Sequence, residues 1–289
     1  MDNQNKINVL IIGASSKLSD QYIKKYGSDS SNFFGISSKV QGEIKLPNIT
    51  ICDYSHIAKL KDIKFDEVLI LASRLPNENV NLKSFQDVNN NVIEILKNVI
   101  IPNSTSVKIC FISSYSVYSP VEKYIDENST TYNENDYARS KLEMEDSLLK
   151  LATYHKLSLM IMRMPVLLYK GVNSNFLGKV ANAIKNKKTA YLSNPSASLF
   201  LVFDVDNLVR IVKSEWKGIN LVNCSSLADI TFNDIAKLSK EYGLLNLEWL
   251  KSDRPSQSVC QAKLISILGE LPSAKMVVER WFKEEFKNT

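Results

Sequence analysis

Tyr137 and Lys141 stand four residues apart in the stretch YARSKLEMED. On a helix, positions four apart share a face. A lysine ammonium beside a tyrosine hydroxyl favours the phenolate, which makes such a tyrosine a usable proton donor or acceptor. The pair alone equally fits a solvated helix face, where both residue types are common. It is not alone. Upstream, the apolar run KICFIS ends at Ser113 and Ser114. A serine at the carboxyl end of a parallel strand lies where ligands bind in such sheets.

A second chemical stretch opens the chain, KINVLIIGASSKLSDQYIKKYG. An apolar run, a glycine and an amphipathic segment read as a buried strand turning into a helix. That arrangement cradles a dinucleotide pyrophosphate and ordinarily carries three glycines. Here only Gly13 is left, with Ser15, Ser16, Lys17, Leu18 and Ser19 following it. Ser16 can offer a hydroxyl and Lys17 a charge to a phosphate, and Ser19 is small enough to pack. After the second apolar run the chain reads FFGISSKVQG, with Ser37, Ser38 and Lys39 and no acid. NAD-specific proteins place Asp or Glu there. Its absence favours NADP(H), with NAD(H) still open; the plainer reading of Ser-Ser-Lys is a polar turn.

These residues need elements to hold them. Strands are expected at 7–12, 32–36, 49–51, 67–72, 107–113 and 158–163, and helices at 17–26, 55–61, 80–100 and 135–155. Uniformly apolar strands alternating with helices indicate a parallel sheet covered on both faces, a doubly wound α/β domain. Residues 1–165 form the expected dinucleotide-binding domain, with 199–224 returning to it; 166–198 and 225–289 form a smaller α/β substrate-binding lobe.

Composition narrows the function classes. The 289 residues are 44% hydrophobic and 23% charged, a globular balance. A net charge of +5 without a dense Lys/Arg stripe argues against nucleic acid, while favouring anionic small molecules. The four cysteines form no C-x-x-C pair and read as reduced buried thiols of a cytoplasmic protein. With two histidines, His56 and His155, neither a His-built metal site nor a Ser-His-Asp triad is expected. The first apolar run is far shorter than the ~18 residues a membrane span needs, and no cleavage site follows it.

Taken in order, these marks resemble the extended short-chain dehydrogenase/reductase family, the NAD-dependent epimerase/dehydratase enzymes, over nearly the whole chain. The resemblance implies that Ser114, Tyr137 and Lys141 are the catalytic set. It implies cofactor contacts from the Gly13 loop, Asp53 and Tyr54 at the adenine, Ala72 and Ser73 at the nicotinamide side, Met164 after a later strand, and Asn89 on a helix. It implies substrate contacts from Tyr115 and Asn175. The ending RPSQSVCQAKLISILGELPSAKMVVERW resembles dTDP-4-dehydrorhamnose reductases, which implies that Arg254 reaches a pyrophosphate, as arginine suits bidentate phosphate contacts; a surface arginine before a turn proline is the plainer reading. In related 4,6-dehydratases an Asp-Glu pair follows the catalytic serine or threonine, whereas Tyr115 and Ser116 follow Ser114 here. The resemblance also implies a homodimer through helices 80–100 and 135–155. Three functions stay open: a nucleotide-sugar 4-keto reductase for surface polysaccharide synthesis, an epimerase on the same substrates, and a non-enzymatic dinucleotide-binding homologue or subunit. Fold alone does not choose among them.

Overall fold

The computed structural model describes residues 6–27, 30–72, 80–104, 106–132, 134–193, 195, 202–251 and 257–287. The chain divides into two compact units, one of residues 1–119, 129–163 and 214–222, the other of 120–128, 164–213 and 223–289. Relative to the expected division, 120–128 and 199–213 fall in the second unit, and the return to the first begins only at Ser214.

The first unit is built on an eight-stranded sheet. Its strands are β1 (Ile7–Ile12), β2 (Ser31–Ile36), β3 (Glu43–Leu46), β4 (Ile49–Cys52), β5 (Glu67–Ile70), β6 (Lys108–Ser114), β8 (Ser158–Met164) and β12 (Ile219–Asn223), in the order β12-β8-β6-β5-β1-β2-β4-β3. Strand β1 runs parallel to β2 and β5, β2 to β4, and β5 to β6; β3 is antiparallel to β4. The sheet is thus mostly parallel and the fold α/β. Its order reverses between β1 and β5, the switch point at which open α/β sheets bind ligands. Three helices belong to this unit: α1 (Lys17–Tyr26), α2 (Leu82–Ile95) and α3 (Asp136–His155). The strands read as apolar runs because their side chains are buried. Leu10, Ile12, Val68, Ile70, Ile109, Phe111 and Ile161 meet Val92 and Ile95 of α2 and Met144 and Leu148 of α3 in one core.

Several elements differ from expectation. Residues 54–60 form a tighter 3-10 turn, nucleated by the Asp53 side chain rather than by an apolar stripe. Helix α2 stops at Ile95, and a wider turn carries Leu96–Ile100 into a short 3-10 turn containing Pro102. Strand β3 was not expected: its four exposed residues alternate Ile44 and Leu46 with Glu43 and Lys45 instead of forming a buried apolar run.

The second unit holds α4 (Phe176–Lys185), α5 (Val205–Lys213), α6 (Phe232–Glu241), α7 (Ala262–Leu268) and α8 (Ala274–Glu285). Three parallel two-stranded pairs join β7 (Tyr124–Ile125) with β14 (Ser258–Val259), β9 (Val166–Leu168) with β11 (Val202–Asp204), and β10 (Thr189–Ser193) with β13 (Asn246–Leu250). Its core gathers Leu177, Ile184, Ile235, Val278, Trp281 and Phe282. Among the described residues no helix is long and apolar enough to cross a membrane, and no cluster of His, Cys, Asp and Glu could hold a metal. The four cysteines are free thiols; Cys52, Cys110 and Cys224 are buried and Cys260 half-buried.

Candidate active site

The switch point is built by glycine. Gly13 leaves β1 with φ +98°, and its N–H donates to Ile36 O at 2.8 Å. A Cβ at Gly13 would stand 2.7 Å from Ala72 N, so the ends of β1 and β5 meet only because no side chain is present. Gly35 plays a similar part in β2, where an added Cβ would meet the Ala14 Cβ at 2.5 Å. Sequence reasoning passed over Gly35, although a glycine inside an apolar strand signals close backbone approach.

Helix α1 starts at this loop. Ser16 is its N-cap and accepts from Ser19 N at 3.1 Å. The Ser16 hydroxyl proton stays available to an outside acceptor. The amides of Lys17 and Leu18 fall among the first-turn donors that lack intrahelical acceptors. Ser19 is fully buried, and its Oγ has no hydrogen-bond partner among the described residues. It fills helix–strand packing space where the usual motif has a third glycine. Ser37 is buried too: its hydroxyl donates to Ser15 Oγ at 2.6 Å and accepts from Lys39 N at 3.1 Å. It fastens the two loops together, while Ser38 and Lys39 are the exposed groups after β2. First-turn amides, hydroxyls and a lysine suit an anionic pyrophosphate, so the residues present fit a dinucleotide.

Asp53 works as a hub. It accepts from Gly42 N at 2.6 Å, Ser55 N at 3.0 Å, Ser55 Oγ at 2.7 Å and His56 N at 3.1 Å, and pairs with His56 Nδ1 at 2.8 Å. The Gly42 amide, then His56 and Ser55, hold its carboxyl well below the usual range. Tyr54 opens the 3-10 turn that Asp53 caps and is half-buried. The structure shows Asp53 first as the residue that shapes this loop.

The proton-handling groups lie at the end of β6. Helix α3 is capped by Asn135, whose side chain accepts from Ala138 N at 2.8 Å, and it packs against β6 and the turn after it. Lys141 is 5% exposed; its Nζ donates to Ile112 O at 2.8 Å and stands 4.8 Å from the Phe111 ring centroid and 5.7 Å from that of Tyr137. Burial lowers the Lys141 pKa to about 8, against an opposing pull from the Glu145 carboxylate. The Tyr137 ring makes an edge contact with Phe85 of α2, centroids 5.8 Å apart. Ser114 ends β6 and caps the next turn, its Oγ 2.7 Å from Ser116 Oγ and accepting from Ser116 N at 3.2 Å. Tyr115 sits edge-on to Tyr118, centroids 5.9 Å apart. Asn89 reaches α3: its Nδ2 donates to Ser140 O at 2.8 Å.

Met164 ends β8 and is buried. Asn175, in the second unit, caps α4 by accepting from Gly178 N at 2.8 Å and donates to Leu167 O at 3.2 Å. Ser73 and Arg254 lie outside the described residues.

Sequence reasoning missed the groups beneath the pair. Arg163 grips Glu145 in a buried bidentate ion pair, Nη2 to Oε2 at 2.7 Å and Nε to Oε1 at 3.2 Å. Ser113 Oγ donates to Glu145 Oε1, and Arg163 Nη1 donates to Tyr118 Oη at 2.8 Å. The signal was present: Arg163 is the one charge in the apolar strand SLMIMRM, and Glu145 follows Lys141 by one helical turn.

A doubly wound sheet opened by a strand–glycine–helix turn, with a tyrosine–lysine pair on the helix packed against a serine-ended strand, defines a Rossmann-type architecture. The chain belongs to the NAD dependent epimerase/dehydratase family, whose model matches residues 9–212. No curated protein sequence matches it. Solved structures share the fold along their whole length. UDP-glucuronic acid 4-epimerase from Bacillus cereus, in complex with NAD, is 14% identical at a TM-score of 0.78, covering 97% of this chain and 99% of its own. The enzyme WbmH from Bordetella bronchiseptica, in complex with NAD+, is 17% identical at 0.74, covering 98% and 99%. A dTDP-glucose 4,6-dehydratase from Bacillus anthracis, in complex with NAD, is 13% identical at 0.75, covering 98% and 97%.

Proposed function

We propose that the chain oxidises and reduces a ring carbon of a nucleotide-activated sugar, as an epimerase, with a dinucleotide seated at the Gly13 loop. The observation that carries this is the Tyr137–Lys141 pair, with Lys141 Nζ 5.7 Å from the tyrosine ring on the helix packed against the strand that ends in Ser114. Family membership supports the class, and the similarity to a UDP-glucuronic acid 4-epimerase supports the reaction. When bound, the nicotinamide exchanges a hydride with the sugar carbon. The chain's own part is to hold the sugar oxygen and move its proton. Tyr137 takes the hydroxyl proton and gives it back, Ser114 hydrogen-bonds the same oxygen, and Lys141 supplies a nearby positive charge that favours the phenolate. Ser15, Ser16, Lys17 and Leu18 would hold the pyrophosphate at the start of α1, and Ala72 and Met164 are the residues proposed to contact the nicotinamide. Asn175 and Arg254 belong to the sugar-nucleotide side. The long helices α2 and α3 are the surfaces on which two copies would pair.

A 4-keto reductase is the second reading, favoured by the exposed Ser38 and Lys39 and the lack of an acid after β2. Those groups suit the 2′-phosphate of NADP(H), whereas the NAD in the similar structures favours NAD(H). A 4,6-dehydratase is the least suited activity: Tyr115 and Ser116 follow Ser114, and neither provides the carboxylic acid that water elimination needs.

Cofactor retention separates the readings. The purified protein is denatured, the released dinucleotide is identified by mass spectrometry, and UDP- and dTDP-hexoses are followed by NMR without added cofactor. Retained NAD with interconversion of two C4 epimers supports the epimerase. A protein that purifies empty and oxidises NADPH only with a keto sugar supports the reductase. Dinucleotide binding without turnover of either substrate class overturns both.

A further inference from the structure

We propose that Glu145, clamped by Arg163 and Ser113, is a positioning residue that holds the charge and place of Lys141 and so sets the upper pH limit of the site. The catalytic role of Lys141 rests on the function proposed above; the clamp itself rests on geometry alone.

Three ties join the end of β6 to α3. Lys141 Nζ donates to Ile112 O at 2.8 Å, Lys141 lies over the Phe111 ring, and Ser113 Oγ donates to Glu145 Oε1. They fall on the three consecutive residues 111–113, immediately before Ser114. Lys141 and Glu145 are one turn apart on the same face of α3. Glu145 is 4% exposed and would be costly to bury as an ion without a partner. Arg163, equally buried, supplies that partner from β8 and is fixed in turn by Tyr118, whose ring lies 4.8 Å from the guanidinium carbon. The carboxylate therefore cannot swing away from Lys141 without breaking its contacts with both Arg163 and Ser113.

Among the described residues, the charged and titratable groups around Lys141 are few. Helix α3 contributes Tyr137 and Glu145, β8 contributes Arg163, and the turn after β6 contributes Tyr115 and Tyr118. Helix α2 meets α3 through Phe85, Gln86 and Asn89, while its charged residues Lys83, Asp87 and Glu94 are exposed. Glu143, also on α3, is engaged by Gln86. Glu145 is thus the carboxylate that opposes the burial of the ammonium. Without it, the Ile112 carbonyl and the neighbouring rings are left to offset the cost of charging Lys141, with no opposite charge among the described residues of this shell.

The test reads Lys141 directly. The full-length protein, labelled with 13C at lysine Cε, is titrated by NMR with no cofactor or sugar present; the Lys141 signal is the one lost in Lys141→Met. Glu145→Gln should lower the Lys141 midpoint by about one unit or more, the usual effect of losing a close opposite charge. Arg163→Met should raise it, because Glu145 then attracts Lys141 without a competitor. If Glu145→Gln fails to fold around its unpaired arginine, Glu145→Gln/Arg163→Met leaves no lone buried charge and should still lower the midpoint. Glu145→Asp keeps the charge and should recover part of the parent value. The alkaline limb of kcat should follow each midpoint, with KM for the sugar unchanged. A midpoint unmoved by loss of Glu145, or moved the same way by Arg163→Met, overturns the proposal. A shifted midpoint with a kcat limb that stays in place also overturns it. A shifted midpoint with no turnover of any nucleotide sugar leaves the clamp standing and removes the function proposed above.

Discussion

Replacing Tyr137 by phenylalanine removes one oxygen and leaves the edge contact with Phe85 intact. The expected outcome is a loss of roughly 10²–10⁴ in kcat, the range for general acid–base catalysis, with dinucleotide affinity nearly unchanged in calorimetry; turnover close to the parent's would remove Tyr137 from the mechanism. Lys141 makes a different prediction. Burial has moved its pKa from 10.5 to about 8. Below about pH 8 both folded and unfolded chains hold this proton, so the cost of burying the charge is fully present. Between there and the unfolded value the unfolded chain binds more protons, so stability rises with pH. Lys141→Met should flatten that rise by roughly 3.4 kcal/mol across the window, at 1.36 kcal/mol per unit, read as the difference between the two proteins in urea unfolding at a series of pH values. Tyr137, Lys141 and Ser114 were legible because a fixed spacing and a strand end mark them. Glu145 and Arg163 each left a local trace, but their partnership was not legible, because it joins β8 to α3 across eighteen residues of sequence.

At the scale of elements, the junction of β1 with β5 depends on a missing Cβ. Gly13→Ala brings both a positive φ and a 2.7 Å clash with Ala72 N, whereas Gly27→Ala meets φ +91° with nothing within 4 Å. Both should destabilise the protein through strain of about 1–3 kcal/mol, and Gly13→Ala should cost clearly more in denaturant unfolding; equal costs would mean that the strand ends can part freely. At the start of α1, Ser16→Gly loses the cap to Ser19 N, a change worth only a few tenths of a kcal/mol. It also removes a Cβ from the loop proposed to hold the pyrophosphate, and calorimetry should show tighter binding of NAD(H) and NADP(H) alike, closer backbone approach outweighing the lost Ser16 hydroxyl contact. Lys39→Asp should weaken NADPH alone; weakening of NADH to the same degree would dissociate Lys39 from the 2′-phosphate. The parallel strands and long helices could be read from apolar runs and periodicity. The pairs β7–β14, β9–β11 and β10–β13 could not: they join two- to five-residue strands from distant parts of the chain, and three residues of β13 beyond its first are exposed too.

For the molecule as a whole, the strand order has a consequence during synthesis. Strand β12 borders β8 at the end of the sheet, yet it is encoded about fifty residues after Arg163, beyond a long stretch that belongs to the second unit. A chain emerging from the ribosome therefore displays the open edge of β8 while that stretch is made. At ~5–20 residues per second the exposure lasts on the order of several seconds, and an unpaired edge strand is a template for unwanted pairing. Nascent chains stalled with β8 outside the ribosome should stay sensitive to protease across β5, β6 and β8. Chains stalled after β12 has emerged should be protected there, and equal protection in both would show that the sheet closes without its last strand. Chaperone demand during translation should fall once β12 has emerged, so the timing of one five-residue strand governs how safely the unit built on the eight-stranded sheet is born.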